Sequence, residues 1–168
     1  DDFNDGDTCL SNADVDNDNI CDIHVGPVWY VETSGSDIIG NGSEGYSFAT
    51  IQHALDVSED GHTINVGPGT YNENIIWPDK NGVQLLGEDR DATTVNGGGI
   101  APVFTIGVDA TLSGLTITGG NSTISPDDPY YQLAGGINVV DTSAVILSDL
   151  HITGNSLPTV SREGGGGG

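Results

Sequence analysis

Residues 47–77 read S-F-A-T-I-Q-H-A-L-D-V-S-E-D-G-H-T-I-N-V-G-P-G-T-Y-N-E-N-I-I-W. Two periods meet in this stretch. Phe48, Ile51, Ala54 and Leu55 recur at helical spacing and share one face. Ser47 is placed to cap that helix, and Asp60-Gly61 to stop it. From Thr63 the pattern becomes strict alternation, with Ile64 and Val66 set against Thr63 and Asn65, as in a half-buried strand. Gly67-Pro68-Gly69 marks a tight turn, followed by Tyr71 and then Ile75-Ile76. One short amphipathic helix therefore runs directly into a first short strand.

Outward from this stretch the chain reads as more short strands. Before it, Gly26-Pro27 marks a linker, 28–32 is a strand holding Trp29-Tyr30-Val31, and 33–46 is a Gly/Ser/Asn-rich loop. After it, Val83, Leu85 and Leu86 form a strand that ends at Gly87. Val95 lies in another, closed by Gly97-Gly98-Gly99, and Val103, Phe104 and Ile106 form the next. Then a segment repeats. L-S-G-L-T-I-T-G at 112–119 matches L-S-D-L-H-I-T-G at 147–154, an offset of 35 residues. A bare coil of stacked strands takes on the order of 20–25 residues, so an insertion must lie between the copies. Residues 121–134, with Pro126, Asp127-Asp128, Pro129 and Tyr130-Tyr131, supply it. Gly135-Gly136-Ile137 then reopens a strand that Val139 continues.

T-I-Q-H-A-L, a spacer and G-H-T-I-N-V-G-P-G-T-Y-N-E-N-I closely resemble the N-terminal cap and first coil of right-handed parallel β-helix proteins. This is the pectate-lyase-like fold, which includes many non-enzymatic surface proteins. The resemblance covers 29–156. It implies an all-β chain: a right-handed parallel β-helix of three to four coils with a short N-terminal capping α-helix. In such a stack Leu112 and Leu147, Leu115 and Leu150, and Ile117 and Ile152 should form inward columns, because parallel strands ~4.8 Å apart superpose equivalent residues. Glycines 164–168 fall where another strand opener would stand. Two expectations follow for 27–168. Either it is the N-terminal part of a β-helix that continues beyond Gly168, or another molecule closes its open end; a flexible glycine tail is the plainer reading. Head-to-tail stacking of copies would give a filament.

Residues 1–26 are a separate acidic leader. Asp14-Val15-Asp16-Asn17-Asp18-Asn19-Ile20-Cys21-Asp22 places oxygen side chains at alternate positions, which suits hard Ca²⁺ with its six to eight oxygens at ~2.3–2.6 Å. The string resembles thrombospondin type 3 repeats, and more loosely the loops of dockerins and EF-hands. That resemblance implies Asp14, Asp16, Asp18 and Asp22 as ligands, with Ile20 contributing its carbonyl. Asn19 stands where the family pattern has glycine, and asparagine tolerates the left-handed conformation. No Glu stands twelve places in, so a true EF-hand is not expected. Asp2, Asn4, Asp5 and Asp7 could form a second, degenerate half-site. Cys9 and Cys21 are the only cysteines; in an exported protein a small disulfide loop is expected, and it would draw the two acidic strings together. A solvated acidic tail is the alternative.

Composition narrows the partners. Three basic residues stand against 25 acids, a net charge of −22. Such a surface repels phosphates and anionic membranes, which argues against nucleic-acid binding. There is no run of ~18 apolar residues to span a membrane. The chain begins at Asp1 without an initiator Met, as a processed or excerpted segment would. The balance fits cation binding in an extracellular or cell-surface setting.

Candidate chemistry is sparse. Polysaccharide lyases of the resembled fold use acidic Ca²⁺ ligands with an Arg or Lys base, and Arg90 sits among acids in Gly87-Glu88-Asp89-Arg90-Asp91. An ordinary charged turn has the same look. His53 in the helix and His151 in a strand read as packing or surface residues. Tyr130 and Tyr131 could stack on sugar rings, or fold back over the coil. Asn41-Gly42-Ser43 and Asn121-Ser122-Thr123 are sequons in expected loops. The leading expectation is a non-enzymatic, calcium-stabilised extracellular structural or adhesive module, part of a larger surface protein or of a filament. The alternatives are the N-terminal portion of a polysaccharide lyase or glycoside hydrolase, and a carbohydrate-binding module.

Overall fold

The computed structural model describes residues 27–122, 134–140 and 143–157. Ten strands and one helix follow in order: β1 (Val28–Val31), α1 (Ile51–Val57), β2 (Thr63–Val66), β3 (Gly69–Tyr71), β4 (Ile75–Ile76), β5 (Val83–Gly87), β6 (Thr93–Asn96), β7 (Phe104–Ile106), β8 (Ala110–Thr118), β9 (Ile137–Val139) and β10 (Val145–Ile152). All the pairings between these strands are parallel. They build three faces. The first stacks β1, β2, β5 and the leading halves of β8 and β10. The second stacks β3, β6 and the trailing halves of β8 and β10. The third stacks β4, β7 and β9. The chain visits the faces in rotation, so it is a parallel β-helix, the architecture the sequence leads one to expect.

Register shows how the coils grow. The stacked partners Thr63, Gln84, Thr111 and Ile146 lie 21, 27 and 35 residues apart. The second step is longer because the turns after β5 and β6 are longer. The third carries the insertion expected at 121–134, of which 123–133 lie outside the described residues. Leu112 faces Leu147, Leu115 faces Leu150 and Ile117 faces Ile152, the columns expected from the repeat.

The core is these columns. Trp29, Ile64, Leu85, Leu112 and Leu147 form one; Tyr71, Val95, Ile117 and Ile152 another; Ile75, Phe104 and Ile137 a third. Each member is buried until the last coil is reached: Leu112 is 0% exposed but Leu147 45%. Full burial of one such side chain stabilises by roughly 1.5–3 kcal/mol, so each coil depends on its neighbour. The corner between the first two faces needs close backbone contact. A Cβ on Gly114 (φ +67) would lie 2.3 Å from the Gly87 carbonyl oxygen. On the next coil Asp149 takes the same corner with φ 45, a left-handed conformation that Asp tolerates better than most residues.

The helix boundaries correct the sequence reading. The N-cap is Thr50, whose Oγ1 accepts from the His53 N–H at 3.3 Å, and not Ser47. Ser47 is excluded because Phe48 is held extended in a parallel bridge with Val31. Ser47 is instead buried and accepts the Ser36 N–H with its backbone carbonyl. The helix stops at Ser58 rather than Asp60-Gly61. The Ser58 N–H donates to the Ala54 carbonyl and its hydroxyl to the Leu55 carbonyl at 2.8 Å.

Candidate functional site

The densest polar chemistry among the described residues lies where α1 meets the first coil. Two carboxylates grip the start of the helix. Asp37 Oδ1 accepts the N–H groups of Ala49 (2.8 Å) and Thr50 (3.1 Å), and Oδ2 accepts the Thr50 hydroxyl (2.7 Å). Glu73, from the turn after β3, accepts the Ile51 N–H with Oε1 (3.0 Å) and the Gln52 N–H with Oε2 (2.9 Å). These are the orphan donors that every helix start leaves, and a negative charge beside them is favoured. Glu73 nevertheless has its pKa raised. Burial is the main cause, the two helix amides pull the other way, and Asp37 adds to the rise.

Gln52 does a second job. Its Nε2 donates to the Ile76 carbonyl (3.0 Å) and its Oε1 accepts the Ile76 N–H (2.9 Å). One side-chain amide thus stands in for a missing strand beside β4. Lys80 closes the far end of the helix, donating from Nζ to the carbonyls of Leu55 (3.2 Å) and Asp56 (2.5 Å). Beside it lies a wide, shallow depression lined by Val57, Ser58, Glu59, Asp60 and Lys80. Under the helix, Trp29 stacks on Phe48, and Phe48 meets the His53 ring edge-on at 4.6 Å. His53 is therefore a packing residue, as expected. His62 Nδ1 accepts both the Trp29 indole N–H (3.0 Å) and the Glu59 N–H (3.1 Å). Tyr71 donates its hydroxyl to the carbonyls of Gly67 (3.0 Å) and Val31 (3.3 Å). Its pKa is pushed up to about 12, by burial first and then by the negative charges of Glu32 and Glu73.

A second polar feature runs down the outside of the second face. Thr70, Thr94, Thr116 and His151 stack in register. Arg90, in the turn after β5, pairs through Nη1 with Asp149 at 3.2 Å, both side chains about half exposed or more. Thr116 donates its hydroxyl to the Arg90 carbonyl (2.6 Å). Asp149, at the position that Gly114 holds one coil earlier, thus finds its partner in the turn after β5.

The other anticipated residues are placed as follows. Asn41 is half-buried, and its Oδ1 accepts the N–H (3.0 Å) and hydroxyl (2.7 Å) of Ser43, an Asx turn within the sequon. Asn121 is half-buried and donates from Nδ2 to the Gly99 carbonyl at 3.2 Å. The calcium ligands Asp14, Asp16, Asp18, Ile20 and Asp22, the half-site Asp2, Asn4, Asp5 and Asp7, the Cys9–Cys21 pair, and Tyr130 and Tyr131 lie outside the described residues. Among the described residues no three His, Cys, Asp or Glu side chains converge as a metal site. No helix there is long and apolar enough to cross a membrane.

Sequence reasoning missed Glu73 and Gln52. The signal was present in T-I-Q and N-E-N, polar residues flanking the apolar helix face and the third strand, but their partner lies more than twenty positions away.

The architecture defines a parallel β-helix protein, and solved structures similar to it are pectin methylesterases. PemA from Erwinia chrysanthemi shares 20% identity at a TM-score of 0.43, covering 75% of this chain and 45% of that one. A substituted pectin methylesterase in complex with a hexasaccharide shares 19% at 0.48, covering 75% and 49%. Pectin methylesterase from carrot shares 19% at 0.46, covering 80% and 44%. The chain spans less than half the length of each. No family model matches the chain, and no curated protein matches it.

Proposed function

We propose that the chain is the capped first part of an extracellular parallel β-helix whose role is structural or adhesive, with Ca²⁺ ordering the leader. The observation that supports it most is how the half-buried polar groups near α1 are used. Asp37, Glu73, Gln52 and Lys80 all bond helix ends or strand edges. In this reading the protein holds a shape and presents its loops, and Asn41 and Asn121 are the positions at which a glycosylating pathway would decorate it. The leader's aspartates would supply the oxygen ligands for Ca²⁺. The test is turnover. The purified chain, incubated with methyl-esterified and de-esterified polygalacturonate with and without Ca²⁺, should release neither methanol nor new chain ends. Product that disappears in Arg90→Ala would overturn the reading.

A second reading is the N-terminal portion of a carbohydrate-acting enzyme. It is favoured by the outward ladder Thr70, Thr94, Thr116 and His151, exposed at its two ends and half-buried between, beside the Arg90–Asp149 pair, which sets hydroxyls, a cation and a carboxylate on one outer face. Under it the chain would share more than architecture with the pectin methylesterases. Binding of oligogalacturonates that shifts amide signals of β6, β8 and β10 would favour this reading.

A further inference from the structure

His62 ties three parts of the capped end together through one nitrogen. Its half-buried ring stands at the end of the turn 58–62, between α1 and β2. Nδ1 accepts the Trp29 indole N–H from β1 at 3.0 Å and the Glu59 N–H at 3.1 Å. The His62 N–H returns to the Glu59 carbonyl at 3.1 Å, so side chain and backbone close the same turn. That turn is also fastened to the next coil. The Gly61 N–H donates to the Asn81 carbonyl and Asp60 Oδ1 accepts the Asn81 N–H, both at 2.9 Å. Trp29 itself is a core residue, 7% exposed and stacked on Phe48.

The two donors fix the protonation state that this arrangement needs. An indole N–H and a backbone N–H can only donate, so Nδ1 must keep its lone pair and the ring proton must sit on Nε2. A second proton then has one place to go, Nδ1 itself. The imidazolium is a donor at both nitrogens, and its Nδ1–H would point at two other N–H groups. Both bonds are lost together. The ring's contribution is full where it is neutral and is lost as pH falls, and histidine is the side chain whose ordinary charge change lies between about pH 5 and pH 8. Acceptors for the charged ring stand in the same turn, the exposed carboxylates of Glu59 and Asp60. Among the described residues, the neighbouring elements bring His53 and Asp56 on α1, Tyr30 on β1 and Lys80 in the turn before β5; β2 and β5 bring no titratable side chain. His53 packs on Phe48, and Lys80 holds the Leu55 and Asp56 carbonyls. The turn's own two carboxylates are left to receive the imidazolium.

We propose that His62 is an acid-responsive latch: its neutral ring locks the turn 58–62 to Trp29, and protonation turns the ring to Glu59 and Asp60, releases the indole and the Glu59 amide together, and slackens the cap over the first coil. NMR of the full chain tests it from about pH 8 down to about pH 5. At the upper limit the ring nitrogens of His62 should report Nε2–H with Nδ1 unprotonated. As pH falls, the Trp29 indole and Glu59 amide protons should shift upfield along the same curve as the His62 ring protonates. Protection of the indole N–H, corrected for the intrinsic exchange rate at each pH, should fall roughly five- to tenfold, the loss of one hydrogen bond. Amides of β8 should stay in place. His62→Gln keeps an acceptor and does not titrate, so both signals should hold still while circular dichroism shows the fold retained. Where Gln does not seat as His does, the wild-type tautomer and the coincidence of the three curves decide alone. An Nδ1–H tautomer at the upper limit, Trp29 and Glu59 signals that ignore protonation of the ring, or the same shifts in folded His62→Gln would each overturn the proposal. None of these outcomes bears on turnover, which tests the structural reading separately.

Discussion

Removing the Glu73 carboxylate should loosen the cap more than any other single change there. In Glu73→Ala the N–H groups of Ile51 and Gln52 lose acceptors at 3.0 and 2.9 Å. A hydrogen bond to a charged group contributes about 1.5–3 kcal/mol, and a buried donor left unpaired costs about 1–3 kcal/mol. Relief of carboxylate burial offsets part of this, leaving a net loss of about 2–3 kcal/mol. For a chain of this size that lowers Tm by roughly 4–12 °C, measured by circular dichroism. The pH dependence is the sharper test. Burial raises the Glu73 pKa above its ordinary value, so the folded chain keeps a proton that the unfolded chain releases. Stability from this group is full below the ordinary carboxylate range and is lost as pH rises through the raised value. Glu73→Gln cannot titrate. The margin of wild type over Glu73→Gln should therefore shrink as pH rises above the ordinary carboxylate range. A margin that widens with pH would mean that the fold prefers the charged carboxylate, and would refute the reasoning.

Other perturbations have equally definite outcomes. Gly114→Ala puts a Cβ 2.3 Å from the Gly87 carbonyl at φ +67 and should cost at least ~1–2 kcal/mol in urea denaturation. Asp149→Gly relieves the same corner at φ 45 while giving up an exposed ion pair worth about 0–1 kcal/mol, so its melting point should be unchanged or slightly higher. Tyr71 should resist ionisation in an ultraviolet titration until about pH 12. Its stabilising effect is full below the ordinary tyrosine pKa and is lost as pH rises through that raised value, so alkaline unfolding should be milder in Tyr71→Phe. EDTA should lower the melting temperature of the full chain and Ca²⁺ should restore it; an unchanged melt would remove the calcium role of the leader.

The repeating part of the fold was legible because coils superpose like residues. Leu112 and Leu147 open two copies of an eight-residue repeat, and that alone predicts their parallel register. What could not be read were contacts between unlike segments. Glu73 looks like an ordinary turn acid until the helix is laid over it, and Arg90 looks like part of a charged turn with its adjacent acids until stacking carries Asp149 beside it. Ser47 was the nearer cap by spacing, but pairing of Phe48 with Val31 kept that backbone extended and moved the helix start to Thr50. Tertiary pairing there outweighed a local preference of about 1 kcal/mol.

Among the described residues the stack is asymmetric: α1 covers its first coil, and β10 is its last described strand. Hydrogen exchange, followed peptide by peptide, tests it most directly. Amides of β1 and β2, held between the cap and the second coil, should exchange only on global unfolding, while those of β10 exchange far earlier. Protection that is greater in β10 than in β2 would contradict the account.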